Sequence, residues 1–153
     1  MPSKPETTFT NRVHRALPPV KFFHREKMHN HYRGGTADYW YSGNGSDLWV
    51  EYKYIPALPV RNDTLIHADL SELQRDWING RYAEGRNVWV VIGHPKGAVV
   101  LNNLRWNEPL STAKFKEQSI SAQDFAQLLL TFCQGKTNVN TDLHPRGART
   151  LAI

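Results

Sequence analysis

The feature that most constrains this chain is a hairpin pattern, in which two aromatic runs flank the turn-forming segment Ser42-Gly-Asn-Gly-Ser-Asp47. Gly, Asn, Ser and Asp favour tight turns, whereas Tyr, Trp and Val favour strands. If the two strands pair symmetrically about this turn, Trp40 faces Trp49 and, further out, Asp38 faces Glu51. Facing carboxylates repel each other unless positive charge lies between them. The hairpin therefore predicts a divalent cation between Asp38 and Glu51.

A lysine belongs to the same predicted cluster. Side chains alternate along a strand, so Glu51 and Lys53 project from one face while Tyr52 projects from the other. Carboxylate oxygens are ligands that Mg²⁺ prefers, and the ion keeps several waters. The Lys53 ammonium would orient or deprotonate such a water, or neutralise charge on a phosphate. These residue types suit phosphodiester hydrolysis, although a surface hairpin with an exposed ion pair is an open alternative at this point.

Four segments extend this pattern in a fixed order. They are Gly35-Thr-Ala-Asp38, Val50-Glu-Tyr-Lys53, Leu70-Ser-Glu-Leu-Gln74-Arg-Asp-Trp77 and Gly85-Arg-Asn-Val-Trp-Val-Val-Ile92. Together they resemble the PD-(D/E)XK nuclease superfamily, and most closely its VRR-NUC (virus-type replication-repair nuclease) branch. Within that branch, the chain resembles the small, phage-type enzymes that are similar to Holliday junction resolvases. The resemblance covers about residues 33 to 92. Ala37 departs from the pattern, since the family commonly has Pro there, but Pro would only stiffen the approach to the acid.

The resemblance implies an α/β fold with a PD-(D/E)XK restriction-endonuclease-like core, in which helices flank a central mixed β-sheet. It implies that Asp38 and Glu51 bind Mg²⁺, for which Mn²⁺ would substitute, and that the backbone carbonyl of Tyr52 supplies a further metal ligand. It also implies that Lys53 assists the attacking water.

Gln74 matches the glutamine of the family's helix motif, which faces the site in such enzymes. The resemblance therefore implies a catalytic role for Gln74. A local explanation is also open, because Ser71 and Gln74 fit a helix capping box, in which the glutamine side chain bonds back to the backbone.

A second acid from an early helix often completes sites of this family, and Glu6 is the candidate here. The sequence predicts a helix from about Pro5 to Leu17, ended by two prolines, with Phe9 and Val13 on its apolar stripe. At about 100° per residue, Glu6 lies within about 20° of that stripe and points toward the body of the protein. The alternative is a capping box with Ser3 as the N-cap.

The charge balance favours a polyanionic partner. Nineteen Lys and Arg residues against fourteen Asp and Glu residues give a net charge of +5. Basic residues concentrate just before the hairpin, where we expect Arg25, Lys27 and Arg33 to contact DNA phosphates. Basicity of this size also occurs in proteins that never bind nucleic acid, so it supports the prediction without carrying it.

At 153 residues the chain is long enough for one domain with a real core. We expect a single nuclease domain over residues 1–135 and a polar, basic C-terminal tail over residues 136–153. The pattern also predicts a strand near Lys21 to Phe23 and a final helix from Ser121 to Cys133. The single cysteine excludes an internal disulfide. No apolar stretch has the length of a membrane span and no signal-peptide pattern opens the chain, so the expectation is a cytoplasmic protein of a bacterium or a phage-infected cell.

The resemblance implies a metal-dependent DNA endonuclease, structure-selective for branched DNA such as Holliday junctions and acting as a homodimer, and we expect no membrane contact. A general, flap-directed or restriction-like nuclease is an alternative. So is a catalytically inactive DNA-binding module, although such a module has no need to hold facing carboxylates. RNA remains an alternative substrate, since the same metal site attacks either backbone.

Overall fold

The computed structural model describes residues 4–28 and 34–135. Five helices, one of them a short 3₁₀ helix, and seven strands occupy these residues. In chain order they are α1 (Pro5–Arg15), β1 (His24–Lys27), β2 (Tyr39–Ser42), β3 (Asp47–Tyr54), β4 (Leu65–Ile66), α2 (Glu72–Ala83), β5 (Val88–His94), β6 (Gly97–Leu101), a 3₁₀ helix (Arg105–Asn107), β7 (Leu110–Ser111), α3 (Thr112–Gln118) and α4 (Ala122–Gln134).

The central sheet has five strands in the order β1-β2-β3-β5-β6. Strands β3 and β5 pair in parallel, and the other neighbours pair antiparallel. A parallel pair needs a long crossover connection, and α2 lies within the one that joins β3 to β5. Strands β4 and β7 form a separate small sheet. The predicted central mixed sheet with flanking helices is confirmed.

Each face of the sheet is covered by a different pair of helices. Helices α1 and α4 pack on one face, around a core that contains Val13, Tyr41 and Phe125. Helices α2 and α3 pack on the other face, around Ile78 and Phe115. Strand β5 is buried along its whole length, as its continuous apolar run predicts for a central strand with both faces covered.

The predicted hairpin register is also confirmed, because Trp40 pairs with Trp49 in the β2–β3 ladder. Its turn lies against the end of α4. A Cβ atom on Gly43 would stand 2.6 Å from the carbonyl oxygen of Cys133, so only glycine fits there. The N–H of Gly45 donates to the same carbonyl oxygen over 2.9 Å. The turn therefore supplies a hydrogen-bond partner to a helix end and anchors the hairpin on the core.

The strand predicted near Lys21 to Phe23 is wrong, since these residues form a turn and β1 begins at His24. The N–H groups of Phe22 and Phe23 both donate to the Pro19 carbonyl oxygen, which bends the chain. Phe23 is buried in the core, whereas Phe22 is 68% exposed. The two phenylalanines therefore belong to a turn that directs one ring inward and the other into solvent.

The final helix follows its prediction closely. Ser121 is the N-cap of α4 and accepts a hydrogen bond from the Asp124 N–H, and Gly135 ends the helix with a positive φ of 65°. Cys133 is buried with a free thiol. The short helix α3 was not predicted, because seven residues give too little periodicity to detect.

Within the described ranges, none of the helices is long and apolar enough to span a membrane. The predicted tail of residues 136–153 and the predicted DNA contact Arg33 lie outside those ranges. The division into a single domain and a tail stays a prediction.

Candidate active site

Asp38 lies immediately before β2, one position beyond the last pair of the β2–β3 ladder, Tyr39 with Val50. Continuing that register places Asp38 opposite Glu51, as predicted. The Asp38 side chain caps the ladder, because its Oδ2 accepts the backbone N–H of Tyr52 over 2.9 Å. The Asp38 carboxylate is therefore positioned by its own backbone, next to β2, and by the backbone of β3.

The motif glycine upstream of Asp38 connects this loop to α2. Gly35 has a positive φ of 97°, and a Cβ there would stand 2.4 Å from the carbonyl oxygen of Leu73. Only glycine permits both the backbone conformation and the close approach. The loop that presents Asp38 is thus packed against the helix that carries Gln74.

Glu51 is almost completely buried, with 1% of its surface exposed. Its Oε2 accepts a hydrogen bond from Gln74 Nε2 over 3.1 Å and lies 3.7 Å from Lys53 Nζ. Its Oε1 is buried with no hydrogen-bond partner among the described residues. Burial, and then the negative charge of Asp38, raise the pKa of Glu51 to about 9. The ionised form of Glu51 is therefore poorly stabilised in the absence of a cation.

Lys53 and Gln74 complete a hydrogen-bonded unit with Glu51. Lys53 Nζ donates to Gln74 Oε1 over 2.9 Å. The same Oε1 accepts the N–H of Ser71, while Ser71 Oγ accepts the N–H of Gln74. The capping-box explanation of Gln74 therefore holds, and the Gln74 amide also bridges Glu51 and Lys53. A catalytic role for Gln74 stays a prediction.

Glu6 faces the same cluster from the first turn of α1. Burial, and then the charge of Asp38, raise the pKa of Glu6, while Lys53 and other lysines act in the opposite direction. The capping-box alternative for Glu6 is wrong, because the N-cap is Lys4 rather than Ser3 and makes no side-chain cap bond. Glu6 is therefore placed by helix packing, close enough to sense the charges of Asp38 and Lys53.

The residues fit a Mg²⁺ or Mn²⁺ ion that retains water. Within residues 4–28 and 34–135, no three His, Cys, Asp or Glu side chains converge closely enough to hold a metal among themselves. The predicted ligands are instead Asp38, Glu51 and the Tyr52 carbonyl. The carbonyl and N–H groups of one strand residue point to the same side, so the Tyr52 carbonyl points toward Asp38, as its N–H does. Mg²⁺ is commonly bound through one or two carboxylates with several waters. The unpartnered Glu51 Oε1 is the atom that such a cation would satisfy.

Two of the predicted DNA contacts are described, and both lie on β1. Lys27 is exposed, and its charge lowers the pKa of Glu6, which places it beside the site. Arg25 is half-buried farther along the strand, where it lines a cleft of about 570 Å³ with Arg15 and His14 of α1. Arg15 was missed in the sequence, because its nearness to Arg25 depends on how α1 packs on the sheet.

A chain of hydrogen-bonded side chains behind the site, formed by half-buried His14 and buried Tyr41 and Tyr52, was also missed. His14 Nε2 lies 2.7 Å from the Tyr41 hydroxyl, which lies 2.7 Å from the Tyr52 hydroxyl. Burial, and then the charge of Arg25, lower the pKa of His14 to about 4. The chain holds β3 from the face opposite Glu51. Its three members come from α1, β2 and β3, so no sequence spacing reveals it.

The sequence matches no protein-family model and no curated protein. Among solved structures, the fold is similar to Hjc of Archaeoglobus fulgidus, a Holliday junction resolvase from an archaeal hyperthermophile. The TM-score is 0.51 at 12% sequence identity, and the match covers 79% of this chain and 96% of Hjc. This chain has a PD-(D/E)XK-like fold.

A likeness at 12% identity establishes the fold and leaves chemistry to be argued from the site. In the PD-(D/E)XK-like fold described here, the ends of β2 and β3 bring Asp38 and Glu51 together with Lys53, Gln74 and Glu6. The finer placement in the VRR-NUC branch stays a prediction, as do the roles of these residues.

Proposed function

We propose that this protein is a metal-dependent endonuclease that hydrolyses DNA phosphodiester bonds, with selectivity for branched DNA. The observation that supports it best is the environment of Glu51. Its carboxyl group is buried beside Asp38 and linked through Gln74 to Lys53, and one of its oxygens has no hydrogen-bond donor among the described residues. Burying such a group without a cation is costly, and a structural role alone does not account for that cost.

Asp38, Glu51 and the Tyr52 carbonyl would hold Mg²⁺, and Mn²⁺ would substitute. When bound, the ion would supply positive charge that polarises a phosphate and lowers the pKa of a nearby water.

The chain's own groups orient the reactants around that position. Gln74 holds the Lys53 ammonium at 2.9 Å, which leaves N–H donors to direct at a water or at a phosphate oxygen. A fixed cation there stabilises the negative charge that develops on the phosphate as the bond from phosphorus to the water oxygen forms and the bond from phosphorus to the leaving sugar oxygen breaks. The proton lost by the water balances the one that the leaving oxygen takes up from solvent. Glu6 supplies a further carboxylate at the edge of the cluster, where it accepts a hydrogen bond from the attacking water and holds it in place.

Branched DNA is proposed as the substrate class for two reasons. The protein of similar fold is described as a Holliday junction resolvase. A small basic domain is also better suited to recognise backbone shape and charge than a long base sequence. Placement in the VRR-NUC branch and action as a homodimer, whose two-fold axis would match a four-way junction, belong to this proposal.

The decisive experiment is a cleavage assay on linear, flapped and four-way-junction DNA of matched sequence, with Mg²⁺, Mn²⁺ or EDTA. We expect metal-dependent cutting concentrated at the branch, and a loss of at least about 100-fold in Lys53→Ala. Lys114→Ala is the matched control, since Lys114 is exposed on α3 away from the cluster. Cutting of Lys53→Ala at the wild-type rate would overturn the catalytic assignment. Tight, salt-sensitive binding without any cutting would favour the DNA-binding module instead.

A further inference from the structure

A cleft lies beside the proposed active site and has no part in the chemistry described so far. It has a volume of about 440 Å³, within the range of roughly 300–1,000 Å³ that is usual for small-ligand pockets. Its lining residues are Trp40, Asp47, Trp49, Gly85, Arg86 and Asn87. We call it the tryptophan cleft.

The two indoles of the tryptophan cleft are held in fixed positions. Trp40 and Trp49 face each other across β2 and β3, with ring centroids 6.3 Å apart and planes inclined by 35°. The Trp49 N–H donates to Asn87 rather than toward β2, so this is a non-hydrogen-bonded pair, in which side chains lie closest. Trp77 of α2 meets Trp49 edge-on at 5.3 Å. Both Trp40 and Trp49 are nevertheless partly exposed.

The cleft is continuous with the proposed active site. Side chains two apart on a strand share a face, so Trp49, Glu51 and Lys53 form one row on β3. Trp49 precedes Glu51 by about 7 Å along the strand. Asp38 and Trp40 have the matching relationship at the start of β2. A ligand in the cleft therefore lies one step from the carboxylates.

The groups around the indoles suit a nucleotide better than an apolar surface. The Arg86 side chain is exposed and provides a cation for a phosphate. The Asp47 carboxylate, which accepts a hydrogen bond from Ser42 Oγ, and the Asn87 side-chain oxygen supply acceptors for the edge of a base. Asn87 Nδ2 itself donates to Ser46 Oγ and to the Asp47 carbonyl oxygen, which holds the side chain in place. The exposed part of an indole ring stacks on a base of any identity, and the His24 ring, 5.1 Å from the Trp40 ring, borders that surface. In duplex DNA the bases are already stacked and paired, so only an unpaired base would enter.

We propose that the tryptophan cleft binds an unpaired nucleobase next to the phosphate that is cut. This inference rests on the proposed function and deepens it, because it gives a physical source for selectivity toward branched DNA. Base stacking on an aromatic side chain contributes a sequence-independent preference for DNA that has nucleotides outside the duplex.

The test compares wild type with Trp40→Leu, and with Trp40→Phe as the conservative variant, in EDTA so that no DNA is cut. The probes are an oligodeoxythymidine of about 12 nucleotides, a flapped duplex and a blunt duplex. We expect quenching of tryptophan fluorescence by the single strand, and a roughly tenfold loss of affinity for single-stranded and flapped DNA in Trp40→Leu. Trp40→Phe should retain most of that affinity, and blunt-duplex binding should stay within about twofold. Phe22→Leu, at an exposed ring elsewhere, is the control.

Equal loss of affinity for all three probes, or no loss for any of them, would overturn the inference while leaving a DNA-binding nuclease intact. If Trp40→Leu bound all three probes as the wild type does but changed its oligomeric state in sedimentation, the cleft would instead be an interface between two copies of the chain. If the wild type bound none of the probes and cut no DNA, the proposed function itself would fail, and this inference with it.

Discussion

A carboxyl group buried beside another carboxyl group is poorly stabilised as an ion, and Glu51 occupies that position next to Asp38. Gln74 and Lys53 satisfy one of its oxygens, while the other has no partner in the described part of the chain. A cation bound between the two acids would account for this arrangement.

The prediction is that Mg²⁺ raises the unfolding temperature of the wild type in a concentration-dependent manner, and that Glu51→Gln abolishes this effect. In EDTA, Glu51→Gln should be at least as stable as wild type, since the amide needs no ionised state in a buried position. Thermal unfolding with and without Mg²⁺ measures both. Glu72→Gln, an exposed acid in the first turn of α2, is the matched control. An undiminished Mg²⁺ effect in Glu51→Gln would place the metal elsewhere.

A second residue-scale prediction concerns His14. Its pKa is lowered from the ordinary 6.5 to about 4 in the folded protein, chiefly by burial. The unfolded chain therefore binds more protons between these two values, and the fold is destabilised as pH falls from 6.5 through 4. Between pH 7 and pH 4.5, we expect the free energy of unfolding to fall by about 2 kcal/mol less in His14→Gln than in the wild type. Denaturant unfolding at pH 7 and pH 4.5 tests it, with the exposed His67→Gln as control. Parallel pH profiles for wild type and His14→Gln would contradict it.

At the scale of elements, the site is a meeting point of four of them. The β2–β3 hairpin carries two acids and the lysine, α2 brings Gln74, and α1 brings Glu6. Gly35 packs against α2 so closely that loop and helix act as one unit. Glu6 reaches the cluster only through the packing of α1 on the sheet, so the position of this helix determines whether the cluster has a further carboxylate.

The corresponding prediction is that Glu6→Gln lowers the cleavage rate by about tenfold or more while the free energy of unfolding changes by less than about 0.5 kcal/mol. A helix-capping residue would show the reverse, a stability loss of about 1 kcal/mol with chemistry unchanged. Single-turnover cleavage and denaturant unfolding separate the two outcomes. Glu72→Gln again controls for loss of an acid from a first helical turn.

At the scale of the whole molecule, the net charge of +5 includes two acids that we assign to a metal, so the surface offered to DNA is more basic than the total. Lys27 stands beside Glu6, and Arg25 joins Arg15 in the cleft between α1 and β1. These cations lie along one edge of the sheet, from which a phosphate backbone would approach the proposed site.

DNA affinity should accordingly fall steeply with salt, because each neutralised phosphate releases condensed counterions. We expect Lys27→Ala to reduce the slope of log K against log salt by about one for duplex and branched DNA alike. Binding titrations at several salt concentrations in EDTA measure the slope. Lys114→Ala should leave it unchanged, and an unchanged slope in Lys27→Ala would remove that residue from the interface.

The sequence by itself determined the hairpin, its register and the final helix, because local turn chemistry and strand alternation specify which residues pair. It misplaced β1, where Phe22 and Phe23 belong to a turn and only burial shows which ring faces the core. It left Gln74 and Glu6 with two explanations each. The tertiary structure brought α2 and α1 to the end of β3, which showed that Gln74 both caps its helix and contacts Glu51, and that Glu6 is no cap.

The remaining features depended on tertiary structure alone. Three features require elements that are distant in sequence to pack together. They are the Glu51 oxygen without a donor among the described residues, the His14–Tyr41–Tyr52 chain and the tryptophan cleft. Spacing along a chain reveals contacts within a helix or a hairpin. Burial and cavities arise only when separate elements exclude water together, so the sequence predicted the chemical groups and the fold created their environment.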